Sequence, residues 1–166
     1  MATNFLNYVK HGVAESSDLL ATTAGHIENV LVEEANGIDN GSFVTLGAFV
    51  SGDVWKAAAP TAGATVYLVL TPPSIYEDYT RKMQDESNFF NGKNEIARAY
   101  QLFKRDKFAL SDECFAANAE PAVGKYLTIT GFKAGVAASA PNSGLVAKIY
   151  DQATNGNWRI VVEDIL

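Results

Sequence analysis

Thr65-Val66-Tyr67-Leu68-Val69-Leu70-Thr71 is the stretch whose reading decides the fold. It is a near-continuous run of β-branched, aliphatic and aromatic side chains. Such a run suits a pleated strand buried on both faces, where no polar alternation is required. Pro72-Pro73 ends it, because proline cannot donate to a strand ladder.

Working outward, the runs on either side are shorter and alternate. Ser42-Phe43-Val44-Thr45-Leu46, Arg98-Ala99-Tyr100-Gln101-Leu102-Phe103 and Gly124-Lys125-Tyr126-Leu127-Thr128-Ile129-Thr130 read as half-buried strands. Val30-Leu31-Val32, Val54-Trp55-Lys56-Ala57, Phe108-Ala109-Leu110-Ser111, Leu145-Val146-Ala147-Lys148-Ile149-Tyr150 and Trp158-Arg159-Ile160-Val161-Val162-Glu163 add further strands. Asn36-Gly37, Asn40-Gly41 and Asn155-Gly156 mark turns, since Asn-Gly tolerates the positive φ that tight turns require. Lys104-Arg105-Asp106-Lys107 reads as a charged hairpin connection, and residues 131–144, rich in Ala, Gly, Ser and Pro, as a loop. Ser111-Asp112-Glu113-Cys114-Phe115 and Ser74-Ile75-Tyr76-Glu77 read as short capped helical turns. About eight to ten short strands without a long helix define a mainly β fold: a single barrel or sandwich-like domain with short helical turns.

Residues 1–26 differ from the rest. Phe5, Leu6, Tyr8 and Val9 are apolar but hold neither a helix nor a strand period, which divides the sequence into an N-terminal arm over 1–26 and a β domain over 27–166. A frayed terminus is the alternative. Residues 74–95 form a second departure, a polar excursion around Phe89-Phe90. Paired aromatics in such a loop either tuck beneath it or meet a partner. Phe5, Leu6, Tyr8, Val9, Phe89 and Phe90 are therefore the candidate contact residues.

Length and composition bound the function. A protein of 166 residues, 48% hydrophobic and 19% charged, can fold around a core without staples. Its net charge of −6, with no basic cluster larger than a pair, supplies no face for nucleic acid. No run approaches the roughly 20 apolar residues of a membrane helix, and Met1-Ala2-Thr3-Asn4-Phe5 has no basic n-region, so synthesis in the cytoplasm is expected. The single cysteine, Cys114, precludes an internal disulfide; it is either a small buried hydrophobe or an exposed thiol.

The chemistry-bearing residues form no fingerprint. His11 and His26 lie in no metal-ligand spacing, no Gly-x-Ser-x-Gly elbow is present, and no Gly-rich cradle joins a strand to a helix. The acidic doublets Glu33-Glu34, Glu77-Asp78, Asp85-Glu86, Asp112-Glu113 and Glu163-Asp164 place neighbouring side chains on opposite strand faces or in solvated turns. No catalytic residue, metal or cofactor is expected. Two other classes stay open: a carbohydrate-binding module, which needs a planar strip of exposed aromatics, and a small β-barrel enzyme, which needs polar groups converging in a pocket. Trp55 and Trp158 sit inside strand runs, where core packing explains them.

Residues 29–47, Asn29-Val30-Leu31-Val32-Glu33-Glu34-Ala35-Asn36-Gly37-Ile38-Asp39-Asn40-Gly41-Ser42-Phe43-Val44-Thr45-Leu46-Gly47, resemble the Asn-Gly turn and valine-rich strand that open small tailed-phage head proteins. Residues 65–79, residues 94–102, residues 106–111 and Gly124-Lys125-Tyr126-Leu127 are similar to successive elements of the same group. Residues 81–95 and 133–144 fall outside the resemblance. It implies a head decoration, or capsid cement, protein on the outer surface of the virion, with a β-tulip or barrel-like domain and an N-terminal arm. Its partner would be the major capsid protein, and it would self-associate as a trimer, with a dimer as the rival.

Overall fold

The computed structural model describes residues 10–19, 26–73 and 85–166. These residues form eleven strands and two single 3₁₀ turns, Glu86–Asn88 and Asp112–Cys114. Among the described residues no helix is long and apolar enough to cross a membrane.

Five strands close a barrel: β2 (Ile27–Leu31), β4 (Val54–Ala58), β3 (Phe43–Ser51), β5 (Tyr67–Val69) and β6 (Ile96–Gln101), in that spatial order. The seam is β2 on β6, with Ile27 opposite Tyr100 and Leu31 opposite Ile96. The other six form an antiparallel sheet in the order β1 (Ala14–Asp18), β7 (Lys107–Leu110), β11 (Trp158–Ile165), β10 (Leu145–Gln152), β8 (Tyr126–Thr130) and β9 (Lys133–Ala137). The protein is thus mainly β, a closed barrel joined to a sheet.

The decisive stretch is the wall between these two bodies. In β5, Leu68 points into the core under the sheet, beside Phe108, Leu127, Ile149 and Ile160. Its neighbours Tyr67 and Val69 point into the barrel with Val30, Val44, Ala97 and Ala99. The start of β3 repeats the division, with Phe43 on the sheet side and Val44 in the barrel. Successive strand residues face opposite ways, so a strand with a core on each side must be apolar throughout. The apolar run over Val66–Val69 has this cause; the strand itself is only Tyr67–Val69, shorter than the stretch 65–71, and Thr65 is exposed.

Three expectations are corrected. The arm over 1–26 does not leave the body along its whole length. Ala14–Asp18 is an edge strand on β7, with Ala14 opposite Leu110, and Ser111 exchanges two bonds with Val13. Glu15 carries the strand further, its Oε1 accepting from the side chains of Asn155 and Asn157 at 3.0 and 2.8 Å. Polar β1 residues bond to partners that the sequence places far away, so local periodicity hides them. Residues 1–9 and 20–25 lie outside the described residues.

Residues 104–107 do not join a hairpin. β6 belongs to the barrel and β7 to the sheet, and residues 103–106 cross from one to the other. Asp106, fully buried, accepts from the Phe103 backbone N–H at 2.8 Å. Arg105 N–H donates to Val162 and Val162 N–H to Asp106, docking the crossing onto β11.

Residues 131–144 are not all loop. Lys133–Ala137 is β9, paired along its length with β8. Its small residues reflect crowding: Ala134 is fully buried, and a Cβ on Gly135 would lie 2.5 Å from Thr128 Oγ1. Alanine and glycine carry little hydropathy contrast, so the strand period is faint there.

Candidate contact surface

Asn40 organises the loop cluster that includes Phe89 and Phe90. Its side-chain oxygen accepts from Thr71 N–H at 2.9 Å, and its Nδ2 donates to the Thr71 carbonyl at 2.8 Å. Asn91 donates through Nδ2 to the Ile38 carbonyl at 3.1 Å, and the Ile38 and Asn91 backbones exchange both of their bonds at 2.9 Å. Buried amides must be bonded to offset lost hydration. Here each amide satisfies the backbone of a neighbouring loop, so residues 36–42, 69–71 and 89–92 are tied together.

The root of the N-terminal segment is fastened to this platform. His11 N–H donates to the Ser87 carbonyl at 2.9 Å. Its imidazole Nδ1 donates to Asp39 Oδ1 at 2.7 Å, the direction a carboxylate requires. Lys133 Nζ lies 3.7 Å from the other Asp39 oxygen. The His11 ring stacks on Phe90, with centroids 4.6 Å apart and planes 17° from parallel.

Directly beneath, Cys114 Sγ fills the space between two glycines: a Cβ on Gly12 would come within 2.8 Å of it and one on Gly41 within 2.6 Å. The thiol is buried, and desolvation pushes its pKa up to about 12. It is a packed hydrophobe rather than a thiolate nucleophile. Ser111, expected to cap the turn after it, instead accepts from Val13 N–H through its hydroxyl oxygen at 3.1 Å.

Of the candidate contacts, Phe90 is 41% exposed and joined to the arm's root through His11. Phe89 is half-buried. Phe5, Leu6, Tyr8 and Val9 lie outside the described residues. A second apolar surface escaped the sequence reading. Phe49, 55% exposed, and Val50 lie near the end of β3, and Phe49 meets Trp55 edge-on at 5.3 Å. Gly47 and Gly52 around Phe49-Val50 were the available signal for an exposed hairpin tip. The two rings lie at 73°, so this pair forms no flat platform for a sugar. Trp55 and Trp158 are both half-buried against the cores, Trp158 donating its Nε1 to Asp112 at 2.7 Å.

A cleft of about 390 Å³ runs between β1 and the end of β5, lined by Val13, Ala14, Leu19, Leu70, Pro72 and Tyr100. Among the described residues no group of three or more His, Cys, Asp or Glu is placed to hold a metal.

The arrangement defines a mainly β protein that presents one exposed aromatic, Phe90, on a braced loop platform and another, Phe49, at the β3–β4 tip. No known protein family, no curated protein and no solved structure matches this sequence.

Proposed function

We propose that this is a structural protein that binds other protein surfaces, and specifically a decoration or cement protein of a tailed-phage head. The observation that carries the reading is the convergence of Phe90 with the root of the N-terminal segment through the His11 stack. His11, two residues after the last apolar residue of the N-terminal candidates, stacks on Phe90 of the other candidate stretch. Beyond that root lie Phe5, Leu6, Tyr8 and Val9. Each large apolar side chain gains roughly 1.5–3 kcal/mol when fully buried. Together with Phe90, these four supply enough apolar surface for a modest contact once buried against a partner, and a symmetric lattice multiplies such contacts into avidity.

The partner in this reading is the major capsid protein, and the site is the capsid exterior. A trimer fits a local three-fold position, with each copy offering the same surface. Sedimentation at micromolar concentration is expected to show a species near three times 17.8 kDa. The direct test is co-sedimentation with shells assembled from a major capsid protein. The full-length protein is expected to pellet with the shells, and a variant lacking residues 1–9 or carrying Phe90→Ala to stay in solution while remaining folded. Binding lost in Phe49→Ala but kept in Phe90→Ala would move the surface to the β3–β4 tip. A protein that neither self-associates nor binds shells would defeat the assignment; a monomer that binds shells would defeat only the trimer.

A further inference from the structure

Four Asn-Gly pairs occur in the sequence, at 36–37, 40–41, 91–92 and 155–156. Each has the sequence chemistry for intramolecular imide formation, because glycine has no Cβ to hinder its nitrogen. The fold treats the four differently. Asn40 and Asn91 are 8% and 2% exposed, with both amides bonded to backbone. Gly41 N–H is held by the Val69 carbonyl at 2.8 Å and Gly92 N–H by the Glu95 carboxylate at 2.7 Å. Asn155 is exposed but clamped: its Nδ2 donates to Glu15 and its Oδ1 accepts from Asn157 N–H. Asn36 is exposed at a turn, and among the described residues nothing holds its side chain.

We infer that Asn36 is a site of spontaneous covalent modification, converted to aspartate and isoaspartate while the other three Asn-Gly pairs are protected by the fold. The Gly37 nitrogen attacks Asn36 Cγ. A bond forms between these two atoms and the Asn36 Cγ–Nδ2 bond breaks, so ammonia leaves and a five-membered succinimide remains. The Gly37 N–H proton is lost to solvent and the departing nitrogen takes one up. Water then adds to either imide carbonyl. Opening on one side gives aspartate; opening on the other gives isoaspartate, with the backbone running through the former side-group carbons. No oxidant or reductant is needed. The bond to be broken first is Gly37 N–H to the Glu34 carbonyl, 3.0 Å long and in an exposed turn.

The position gives the reaction a consequence. Gly37 has φ +71°, and a Cβ there would lie 2.9 Å from the Phe90 ring and 2.3 Å from the Asn91 carbonyl oxygen. An isoaspartyl link adds a carbon to the backbone immediately before this contact. It therefore strains the Ile38–Asn91 bridge and the seat of Phe90. The reaction itself is independent of what that surface binds.

The test is peptide mass mapping of the full-length folded protein, sampled over days in mildly alkaline buffer, with a parallel sample in urea. In the folded protein, the mass gain of exchanging NH2 for OH is expected first at the peptide containing Asn36. It should run several-fold ahead of Asn155, with Asn40 and Asn91 unchanged. Isoaspartyl-specific methylation should label the same peptide, and Asn36→Gln should abolish that early product. In urea all four sites should convert at similar rates. Equal rates at Asn36 and Asn155 in the folded protein would overturn the inference. So would an unchanged Asn36 after the urea sample has reacted, or the same ranking in both samples.

Discussion

Gly12 and Gly41 leave between them a space that the Cys114 sulfur occupies, its Sγ 3.4 and 3.6 Å from the carbonyls of Val13 and Asn40. The thiol is useful there only while neutral. Its pKa rises from an ordinary 9.0 to about 12, chiefly by desolvation. Between those pH values the unfolded protein has released the proton and the folded protein still holds it. Rising pH therefore favours unfolding, by up to about 1.4 kcal/mol per pH unit, and this stabilisation is intact below pH 9.0. Tyr67, raised by burial in the barrel and by the charge of Glu28, adds a loss of the same sign at still higher pH. Urea unfolding of the wild type and Cys114→Ala across this window should show a shallower alkaline decline for the variant. Parallel declines would mean that the thiol ionises as freely in the fold as out of it. Iodoacetamide should likewise label Cys114 only after denaturant opens the fold.

At the scale of elements, the passage from β6 to β7 shows how much one buried carboxylate organises. Asp106 closes a turn on Phe103 N–H, while its backbone carbonyl accepts from Val162 on β11. Asp106→Ala is expected to lower stability by about 2 kcal/mol, the scale of a buried bond to a charged acceptor. Asp106→Asn, which keeps an oxygen in place, should recover most of that loss; equal losses in a urea titration would place the cost in packing instead. This crossing was misread from sequence for a physical reason. Two alternating runs separated by a few charged residues look the same whether they pair with each other or diverge into different sheets. Where alternation is clear, as in Tyr126–Thr130, or the apolar run is dense, as at the start of Leu145–Gln152, the strands were legible. β9 was not, because its crowded positions require alanine and glycine. At the surface, Phe90 was legible as an aromatic stranded in a polar loop. Its stacking partner His11 was not, since no local pattern joins residues that far apart. Phe49 was missed because Ala48-Phe49-Val50 has the apolar composition of a buried segment, and only the flanking Gly47 and Gly52 mark it as a tip.

At the scale of the whole molecule, the barrel and the sheet share their wall rather than merely touching. Leu68 and Phe43 belong to the core under the sheet, while Tyr67, Val69 and Val44 on the same two strands belong to the barrel. Neither core can lose its wall without exposing the other, because a strand that leaves one core takes the residues of both. The two bodies should therefore melt together. Leu68→Ala, at a fully buried site, is expected to cost about 2–5 kcal/mol, combining lost transfer energy with a cavity. Val69→Ala strikes the barrel and Ile149→Ala the sheet, both from fully buried positions. All three should lower a single transition. Fluorescence from Trp55 in the barrel and from Trp158 in the sheet, separated with Trp55→Phe and Trp158→Phe variants, should report coincident midpoints, the mark of two-state unfolding. If Val69→Ala shifted the Trp55 signal alone, the barrel would be an independent unit and the shared wall would carry no coupling. Coincidence is expected because the three residues of β5 are buried on both sides, leaving no plane along which the two cores can part.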